Sequence, residues 1–181
     1  MNMKIITIKT GYLEENCYIL IKDNNCIIID PGDDYEKILK EIDNYNLLAI
    51  LITHNHFDHV GALTDILNNY NVEVFDKKSL LETKKEISNF SFEVLYNEGH
   101  SSDSISFYFE EINSIFVGDF IFKCSIGRCD LETGNILEMA KSLKKFINKF
   151  KNNKKLTIYP GHGEKTNLQE ELTNNPYLKK Y

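Results

Sequence analysis

Three of the chain's five histidines lie within six residues of one another, in the segment THNHFDHVGA. Asp58 lies among them, between His56 and His59 and close to His54. Imidazole nitrogens and carboxylate oxygens are the ligands that zinc, iron and manganese take in proteins. Three imidazoles so close together are costly to assemble without a cation. The segment therefore predicts a metal site, and the alternative is a charged loop that begins a helix.

Three further candidate ligands each follow a glycine at the predicted end of a strand. They are His100 in EGHSSDS, Asp119 in FVGDFIF and His162 in YPGHGEKT. The glycine lets the backbone turn tightly and approach the site closely. Taken singly, such a histidine is more often a surface or core residue, and such an aspartate is typical of a turn. Together with the first cluster they make seven candidate ligands, which suits two ions that share a carboxylate and a water.

The local backbone predicts how the first cluster is arranged. On an extended segment, residues two apart point the same way, so we expect His54, His56 and Asp58 to converge while His59 points away. Asp30, in IIDPGD, has two interpretations that the sequence leaves open. It is either a turn former or a partner that orients a ligand histidine.

Hydrophobic patterning predicts strands and helices in alternating order. Helical spacing predicts helices over 35–46, over the segment after the histidine cluster, over 77–86 and over 135–150. Short β-branched and apolar runs predict strands in MKIITIKT, NCYILIK, CIIIDPG, LLAILIT, VEVFD, FEVLYN, SISFYFEE, SIFVGD and LTIYPGHG. This order fits two sheets packed together with helices outside.

The length and charge of the chain argue against several classes of protein. A chain of 181 residues is too short for two ordinary domains, so we predict a single domain over 1–181. The formal net charge of -6 argues against nucleic-acid binding, which needs basic stripes. The longest apolar run, LLAILI, is too short to span a bilayer, and the start does not read as a secretory signal. We therefore expect a cytoplasmic protein with no nucleic-acid or membrane partner and predict no oligomeric state.

Four motifs carry a family resemblance: THNHFDH, GHSSDS, GDFIFKCSIGRCDL and PGHG. In this order and at these separations they resemble the metallo-β-lactamase superfamily, and specifically its short glyoxalase II-like hydrolases. The resemblance runs from NCYIL and IIDPGD to the terminal NPYL. It implies a mixed α/β (α+β) fold, a four-layer αββα sandwich, with a dinuclear site between the inner edges of the two sheets. It also implies a division of ligands: His54, His56 and His100 for the first metal, Asp58, His59 and His162 for the second, and Asp119 as the bridge.

The resemblance also implies a reaction. Two divalent ions, zinc first and iron or manganese as alternatives, would activate a shared water that attacks a small-molecule thioester or ester carbonyl. Asp58 would orient that water. Because ligand imidazoles must be neutral, we expect metal and activity to be lost together below about pH 6. B1-type β-lactamases are expected to have a cysteine among the second metal's ligands and lack the aspartate bridge, so antibiotic hydrolysis is not expected.

Residues that bind the substrate are less well defined by the motifs. Arg128, the only arginine, occupies the family's position for a basic residue near the thiol's carboxylate. The alternative for it is a salt bridge with Asp130. Lys123 and Tyr177 are further candidates at the mouth of the pocket. Asp130 stands where glyoxalase II usually has an aromatic residue, and we expect the glutathione-binding extension to be missing, so the identity of the thiol stays open.

Two alternative functions remain beside the hydrolase. One is a persulfide dioxygenase of the same superfamily, which binds a single iron through two histidines and an aspartate and would use only part of the ligand set. The other is a non-catalytic binding module that keeps the fold, against which the complete ligand set argues.

Overall fold

The computed structural model describes residues 3–80 and 83–179. Two β-sheets pack face to face, and helices cover their outer faces. This arrangement confirms the predicted four-layer αββα sandwich.

The first sheet has five strands in the order β1-β2-β3-β4-β5. Their bounds are β1 (Lys4–Thr10), β2 (Glu15–Lys22), β3 (Asn25–Ile29), β4 (Asn46–Leu51) and β5 (Glu73–Phe75). Its outer face is covered by the helices α1 (Tyr35–Ile42), α2 (Phe57–Val60) and α3 (Leu63–Asn69). Because β3 and β4 are parallel, their carboxyl ends lie at the same edge of the sheet. Asp30 follows β3 and the histidine cluster follows β4, so both emerge at that edge.

The second sheet has six strands in the order β13-β12-β9-β8-β7-β6. The strands of this half of the chain are β6 (Lys84–Ile87), β7 (Phe90–Tyr96), β8 (Ile105–Phe109), β9 (Ser114–Gly118), the hairpin β10 (Ile121–Phe122) and β11 (Ser125–Ile126), β12 (Thr157–Pro160) and β13 (Thr166–Asn167). The helices are α4 (Ile136–Phe150), α5 (Leu168–Asn174) and a single 3-10 turn over Glu110–Ile112. Since β9 and β12 are parallel, Asp119 and His162 also follow neighbouring strand ends.

Three apolar clusters hold the layers together. The cluster between the sheets joins residues such as Leu20 and Leu51 of the first sheet to Phe107 and Phe116 of the second. Two outer clusters pack helices α1 and α3 on one side and α4 on the other. Because β2 and β3 are covered on both faces, they are buried almost throughout, which explains their continuous apolar runs.

The helix predicted over 77–86 is wrong. Residues 77–79 form a turn, and Lys84–Ile87 pairs with β7 as the edge strand β6; residues 81–82 lie outside the described part of the chain. The Asp76 side chain accepts hydrogen bonds from the backbone N–H groups of Lys78 and Ser79 and so closes the turn. In β6 the burial alternates with a period of two, as in an edge strand rather than a helix. In the described residues, no helix is both long and apolar enough to cross a membrane.

Candidate metal centre

The strand ends of both sheets bring all seven predicted ligands to one edge of the sandwich. The histidine cluster follows β4, His100 follows β7, Asp119 follows β9 and His162 follows β12. A cavity of about 790 Å³ opens over them, and its lining includes His56, Asp58, His100, Asp119 and His162. This volume is typical of pockets that bind small molecules.

His54, His56 and His100 form one group of converging nitrogens. Each offers a ligand atom, and these atoms lie within 4.8 Å of one another. His100 Nε2 lies 2.9 Å from His56 Nδ1. His54 is buried deeply enough that only 2% of it is exposed. This group could hold one ion.

Asp58, His59 and His162 form a second group within the same 4.8 Å limit. His162 Nε2 lies 3.2 Å from Asp58 Oδ2, and His59 Nε2 lies 4.0 Å from the same oxygen. His59 is fully buried at the base of the site, whereas His162 is partly exposed at its rim. This group could hold a second ion.

The Asp119 carboxylate faces both groups. Its Oδ1 lies 3.4 Å from His59 Nε2, and its Oδ2 lies 3.5 Å from His100 Nε2 and 3.7 Å from His162 Nε2. One carboxylate is thus placed within reach of ligands from both groups, as an aspartate shared by two ions would be.

The expectation that Asp58 converges with His54 and His56 while His59 points away is wrong. It assumed an extended segment, but the chain turns into helix α2 at Phe57. Asp58 and His59 are therefore in the first turn of a helix, and both face His162. His54 and His56 precede that helix and converge with His100, and His54 also lies within 4.8 Å of ligand atoms of His59 and Asp119.

Four of the histidines have their Nδ1 atoms held by the protein, which directs Nε2 into the site. A protein partner of this kind fixes the ring orientation and the tautomer of a ligand histidine. The pairs are His54 with Thr53 Oγ1 at 3.1 Å, His59 with Asp30 Oδ2 at 3.0 Å, His100 with the Arg128 carbonyl at 2.8 Å, and His162 with the Leu13 carbonyl at 3.1 Å.

Asp30 combines the two roles that the sequence left open. Its backbone has a positive φ of 52°, the left-handed conformation that aspartate tolerates in turns. Its Oδ1 accepts the Thr53 N–H at 2.7 Å, and its Oδ2 accepts the Thr53 hydroxyl at 2.6 Å and contacts His59 Nδ1. The Asp30 carboxylate thus orients His59 directly and His54 through Thr53.

Burial and mutual charge shift the pKa values of the candidate ligands in opposite directions. Burial lowers the pKa of His54 well below its ordinary value, and the neighbouring histidines lower it further. Burial alone would lower the pKa of His59, but the carboxylates of Asp119 and Asp30 raise it well above its ordinary value. Burial would raise the pKa of Asp119, but the adjacent imidazoles hold it below its ordinary value.

Three buried polar atoms at the centre argue that the residues fit a metal. Within the described part of the chain, His54 Nε2, His59 Nε2 and Asp119 Oδ1 are buried and have no hydrogen-bond partner. A buried polar atom without a partner costs about 1–3 kcal/mol. All three belong to one candidate cluster, so a cation bound there would satisfy them together. Nitrogen and oxygen donors suit zinc, iron or manganese.

Two glycines allow the loops to approach this closely. Gly118 has a positive φ of 52°, and a Cβ added there would lie 2.3 Å from Thr53 Oγ1. A Cβ added at Gly161 would lie 2.4 Å from Asp119 Oδ1 and 2.6 Å from His59 Cε1. A larger residue at Gly118 would displace Thr53, which contacts His54, and one at Gly161 would displace Asp119 and His59.

Replacing Gly161 with alanine is expected to weaken metal binding by about 10- to 100-fold, because the added methyl pushes against Asp119 and His59. The measurement is metal retained after dialysis against graded chelator. Gly163→Ala is the comparison variant that separates backbone strain in this loop from crowding, since a Cβ there meets no atom within 4 Å but the positive φ of 78° is strained. It should weaken metal binding less than Gly161→Ala. Equal retention by wild type and Gly161→Ala would contradict the predicted crowding.

Glu15 is a buried residue next to the centre that the sequence did not identify. Its Oε2 accepts the Thr10 hydroxyl at 2.7 Å, and its Oε1 lies 3.8 Å from His59 Nδ1. Burial raises its pKa well above its ordinary value. The sequence signal was its place at the start of a strand with an apolar middle.

The three residues predicted to bind substrate lie in different surroundings. Arg128 forms the alternative salt bridge, a bidentate ion pair with Asp130 at 2.7 and 2.8 Å. It also lines the cavity, and its role in binding substrate stays a prediction. Lys123 pairs with Glu164 at 2.5 Å, and Tyr177 is 42% exposed. Neither Lys123 nor Tyr177 lines the cavity. Lys78, which the sequence analysis did not name, does line it.

The family follows from comparison with known proteins. The family model described as metallo-beta-lactamase superfamily matches residues 10–79 and 76–162. The chain belongs to the metallo-β-lactamase superfamily. Among its relatives is the probable metallo-hydrolase YqgX of Bacillus subtilis, which is 30% identical over 97% of this chain and 98% of the relative. Hydroxyacylglutathione hydrolase GloC of Haemophilus influenzae is 29% identical over 98% of each chain.

Solved structures give the same fold along the whole chain. The BLEG-1 B3 metallo-beta-lactamase matches with a TM-score of 0.91 and 27% identity, over 97% of this chain and 99% of that one. TTHA1623, solved in a di-iron-bound form, matches with a TM-score of 0.84 and 30% identity, over 96% of this chain and 100% of that one. The chain is thus a member of a superfamily of metallo-hydrolases whose relatives include hydroxyacylglutathione hydrolases.

Proposed function

We propose that this protein is a dinuclear metallo-hydrolase that cleaves thioesters of small 2-hydroxy acids or related esters. We call His54, His56 and His100 the first triad, and Asp58, His59 and His162 the second triad. The observation that carries the proposal is that Asp119 lies between these two triads under one cavity. The similarity to GloC, whose name states hydrolysis of hydroxyacylglutathione, supports the thioester as substrate.

The proposed ligands divide as the two groups do. His54, His56 and His100 would hold one ion, Asp58, His59 and His162 the other, and Asp119 both. When bound, the ions would supply Lewis-acid chemistry, which lowers the pKa of a bound water and polarises a substrate carbonyl. Zinc is our first choice of metal, and iron or manganese are alternatives; the di-iron form of TTHA1623 supports iron as one of them.

Asp58 is the side chain that we assign to orienting the attacking water. It lines the cavity, and one of its oxygens contacts His162. Burial would raise its pKa, but the hydrogen bond from His162 and the charge of His59 hold it below the ordinary value. The carboxylate therefore stays ionised at neutral pH and can accept a hydrogen bond from water beside the reacting carbonyl.

The remaining walls of the cavity suit a substrate with apolar and anionic parts. Leu13, Phe57 and Leu131 supply apolar surface around the polar floor. Arg128 and Lys78 supply positive charge at the same cavity, and in the described residues Lys78 has no ion-pair partner. We assign both to the carboxylate of the thiol portion. Lys123 and Tyr177 would contact only a substrate that extends beyond the lining residues.

Replacing Lys78 with alanine is expected to raise the KM for S-lactoylglutathione about two- to fivefold and leave kcat unchanged, since an exposed charge pair contributes little. A thioester with an uncharged thiol, S-lactoyl-N-acetylcysteamine, should show no change. Lys141→Ala is the control, because Lys141 pairs with Glu138 on α4 and does not line the cavity. The same KM in Lys78→Ala and wild type for the anionic substrate would contradict the assignment.

A panel of substrates tests the proposed function. We expect the metal-loaded protein to hydrolyse S-lactoylglutathione or another 2-hydroxyacyl thioester, to lose that activity on chelation and to regain it when the ion is restored. A cephalosporin serves as a counter-substrate, because the BLEG-1 relative is named a β-lactamase. Turnover of the cephalosporin with no turnover of any thioester or ester would refute the proposal.

The persulfide dioxygenase is the alternative enzyme. A single iron bound by two histidines and an aspartate would occupy only part of the ligand set. It would leave further imidazole and carboxylate groups of the second triad facing the cavity without a metal. The convergence of both triads on Asp119 therefore favours the hydrolase.

A further inference from the structure

The loop that carries His162 is held mainly by the sheet to which it does not belong. It follows β12 of the second sheet, yet its backbone bonds to Asn16, near the start of β2 in the first sheet. Asn16 donates its N–H to the Gly161 carbonyl at 2.7 Å. Its side-chain Nδ2 donates to the Pro160 carbonyl at 2.9 Å and to the Gly163 carbonyl at 3.0 Å. One buried amide thus spans the loop on both sides of His162.

Neighbouring residues of the first sheet reinforce this contact. The Tyr18 hydroxyl donates to the Pro160 carbonyl at 2.6 Å, and His162 Nδ1 lies 3.1 Å from the Leu13 carbonyl. A β-bridge joins Glu15 to His162. Most of the hydrogen bonds that hold the His162 loop therefore come from the β1–β2 turn and the first residues of β2. The second sheet adds the bond from the Gly161 N–H to the Gly118 carbonyl at 2.9 Å.

The loop has little intrinsic preference for its conformation. His162 lies between Gly161 and Gly163, and Gly163 has a positive φ of 78°. Glycine loses more conformational freedom on ordering than any other residue, so an unsupported Gly-His-Gly segment would be costly to hold in one position. The His162 side chain is 26% exposed and so has less packing around it than the buried His59. External hydrogen bonds must supply the order.

The side-chain amide of Asn16 can order the His162 loop through its N–H donors. It is 1% exposed, and within the described residues its Oδ1 has no hydrogen-bond partner. The amide therefore contributes through Nδ2, which bonds two carbonyls of the loop.

We propose that Asn16 is a positioning residue that sets the affinity of the second metal triad by fixing His162. The inference rests on the proposed dinuclear centre and adds to it a determinant outside the ligand set. Partners that orient a metal ligand typically change metal affinity by 10- to 100-fold. We expect the larger effect on the ion bound by Asp58, His59 and His162, because the hydrogen bonds from Asn16 hold the loop that carries His162.

The test is a double-mutant cycle read out by metal binding. Zinc affinity is measured by competition with a chromophoric chelator in wild type, Asn16→Ala, His162→Ala and the double variant. We expect Asn16→Ala to lower the affinity for the second zinc ion by about 10- to 100-fold and to leave the affinity for the first unchanged. In the His162→Ala background, Asn16→Ala should have no further effect, because coupled residues are not additive. Tyr18→Phe, which removes one donor, should weaken the second ion less.

Asn113→Ala controls for general loss of stability. Asn113 comes directly before β9, at the end of that strand opposite Asp119. It has a positive φ of 47°, and its side chain donates a hydrogen bond to the Asn153 side chain. It should lower the unfolding temperature without selective loss of one ion. If Asn16→Ala does not fold, Asn16→Asp and Tyr18→Phe carry the same comparison.

The inference would be overturned if Asn16→Ala weakened binding of both ions equally or left both affinities unchanged. Additive effects of Asn16→Ala and His162→Ala, or fewer than two zinc ions in wild type, would also overturn it. Two ions in wild type without hydrolysis of any thioester or ester would refute only the proposed function. Hydrolysis by wild type with unchanged metal binding in Asn16→Ala would refute only the inference.

Discussion

Replacing Asp119 with alanine is expected to lower kcat/KM for the thioester by about a thousandfold or more, which corresponds to about 4 kcal/mol on the barrier. The carboxylate reaches toward ligand groups of both triads. Without it, the repulsion among neighbouring imidazoles and cations at the centre is no longer offset. The fold should persist, because Asp119 lies in a loop beyond β9 and its side chain forms no part of either sheet ladder. Steady-state kinetics and circular dichroism measure the two outcomes.

The control for Asp119→Ala is Asp65→Ala, in which an exposed carboxylate on α3 is removed far from the ligand groups. It should retain wild-type activity and metal content. Asp119→Asn keeps the shape and removes the charge, so it should resemble the alanine variant in activity. An Asp119→Ala protein as active as wild type would remove the bridging role that we assign to this residue.

Acidification is expected to release the second ion before the first. The pKa of His59 is raised well above its ordinary value by Asp119 and Asp30 against the effect of burial, and that of His162 is raised by Asp58 and Asp119. Burial lowers the pKa of His54 and of His56. A raised pKa means that protons occupy the nitrogen at a higher pH, and only the neutral imidazole binds metal. As pH falls, protons therefore displace metal from the second triad first.

Thioester hydrolysis should be lost at the pH at which the second ion is released. The measurement is metal retained on ultrafiltration at stepwise lower pH, in parallel with thioester hydrolysis at each step. We expect one ion to leave together with activity and the other to remain until lower pH. His162→Ala removes one of the two raised imidazoles and is the matched variant. Loss of both ions in one step, or earlier loss from the triad of His54, His56 and His100, would contradict the expected order.

The sequence could predict the candidate ligands that the structure brings together, because these residues carry local signals. His54, His56 and His59 are clustered, and His100, Asp119 and His162 each follow a glycine at the end of an apolar run. Two parallel strand pairs, β3 with β4 and β9 with β12, place these ends at one edge. The αββα sandwich followed from the order of elements and from the family resemblance.

The division of ligands could not be obtained from local periodicity. It depends on helix α2 beginning at Phe57, within the cluster itself, so the period of two that placed Asp58 beside His54 ends there. Helix boundaries are set by a few backbone hydrogen bonds and carry a weak sequence signal. The same weakness produced the helix wrongly predicted over 77–86, where a turn closed by Asp76 precedes an edge strand.

The partners that orient the ligands also lay beyond sequence reasoning. His100 and His162 are held by the backbone carbonyls of Arg128 and Leu13, and any residue type can supply a carbonyl. Asn16 reaches a loop 144 residues further along the chain. Such contacts depend on tertiary packing and leave no spacing that a sequence pattern could reveal.

The most direct test of the dinuclear hydrolase is metal content per chain, measured on protein purified without chelators and paired with an S-lactoylglutathione hydrolysis assay. We predict close to two zinc, iron or manganese ions per chain together with turnover. A single iron with no hydrolysis, accompanied by oxygen uptake in the presence of a persulfide, would contradict the account and make the protein an oxidoreductase.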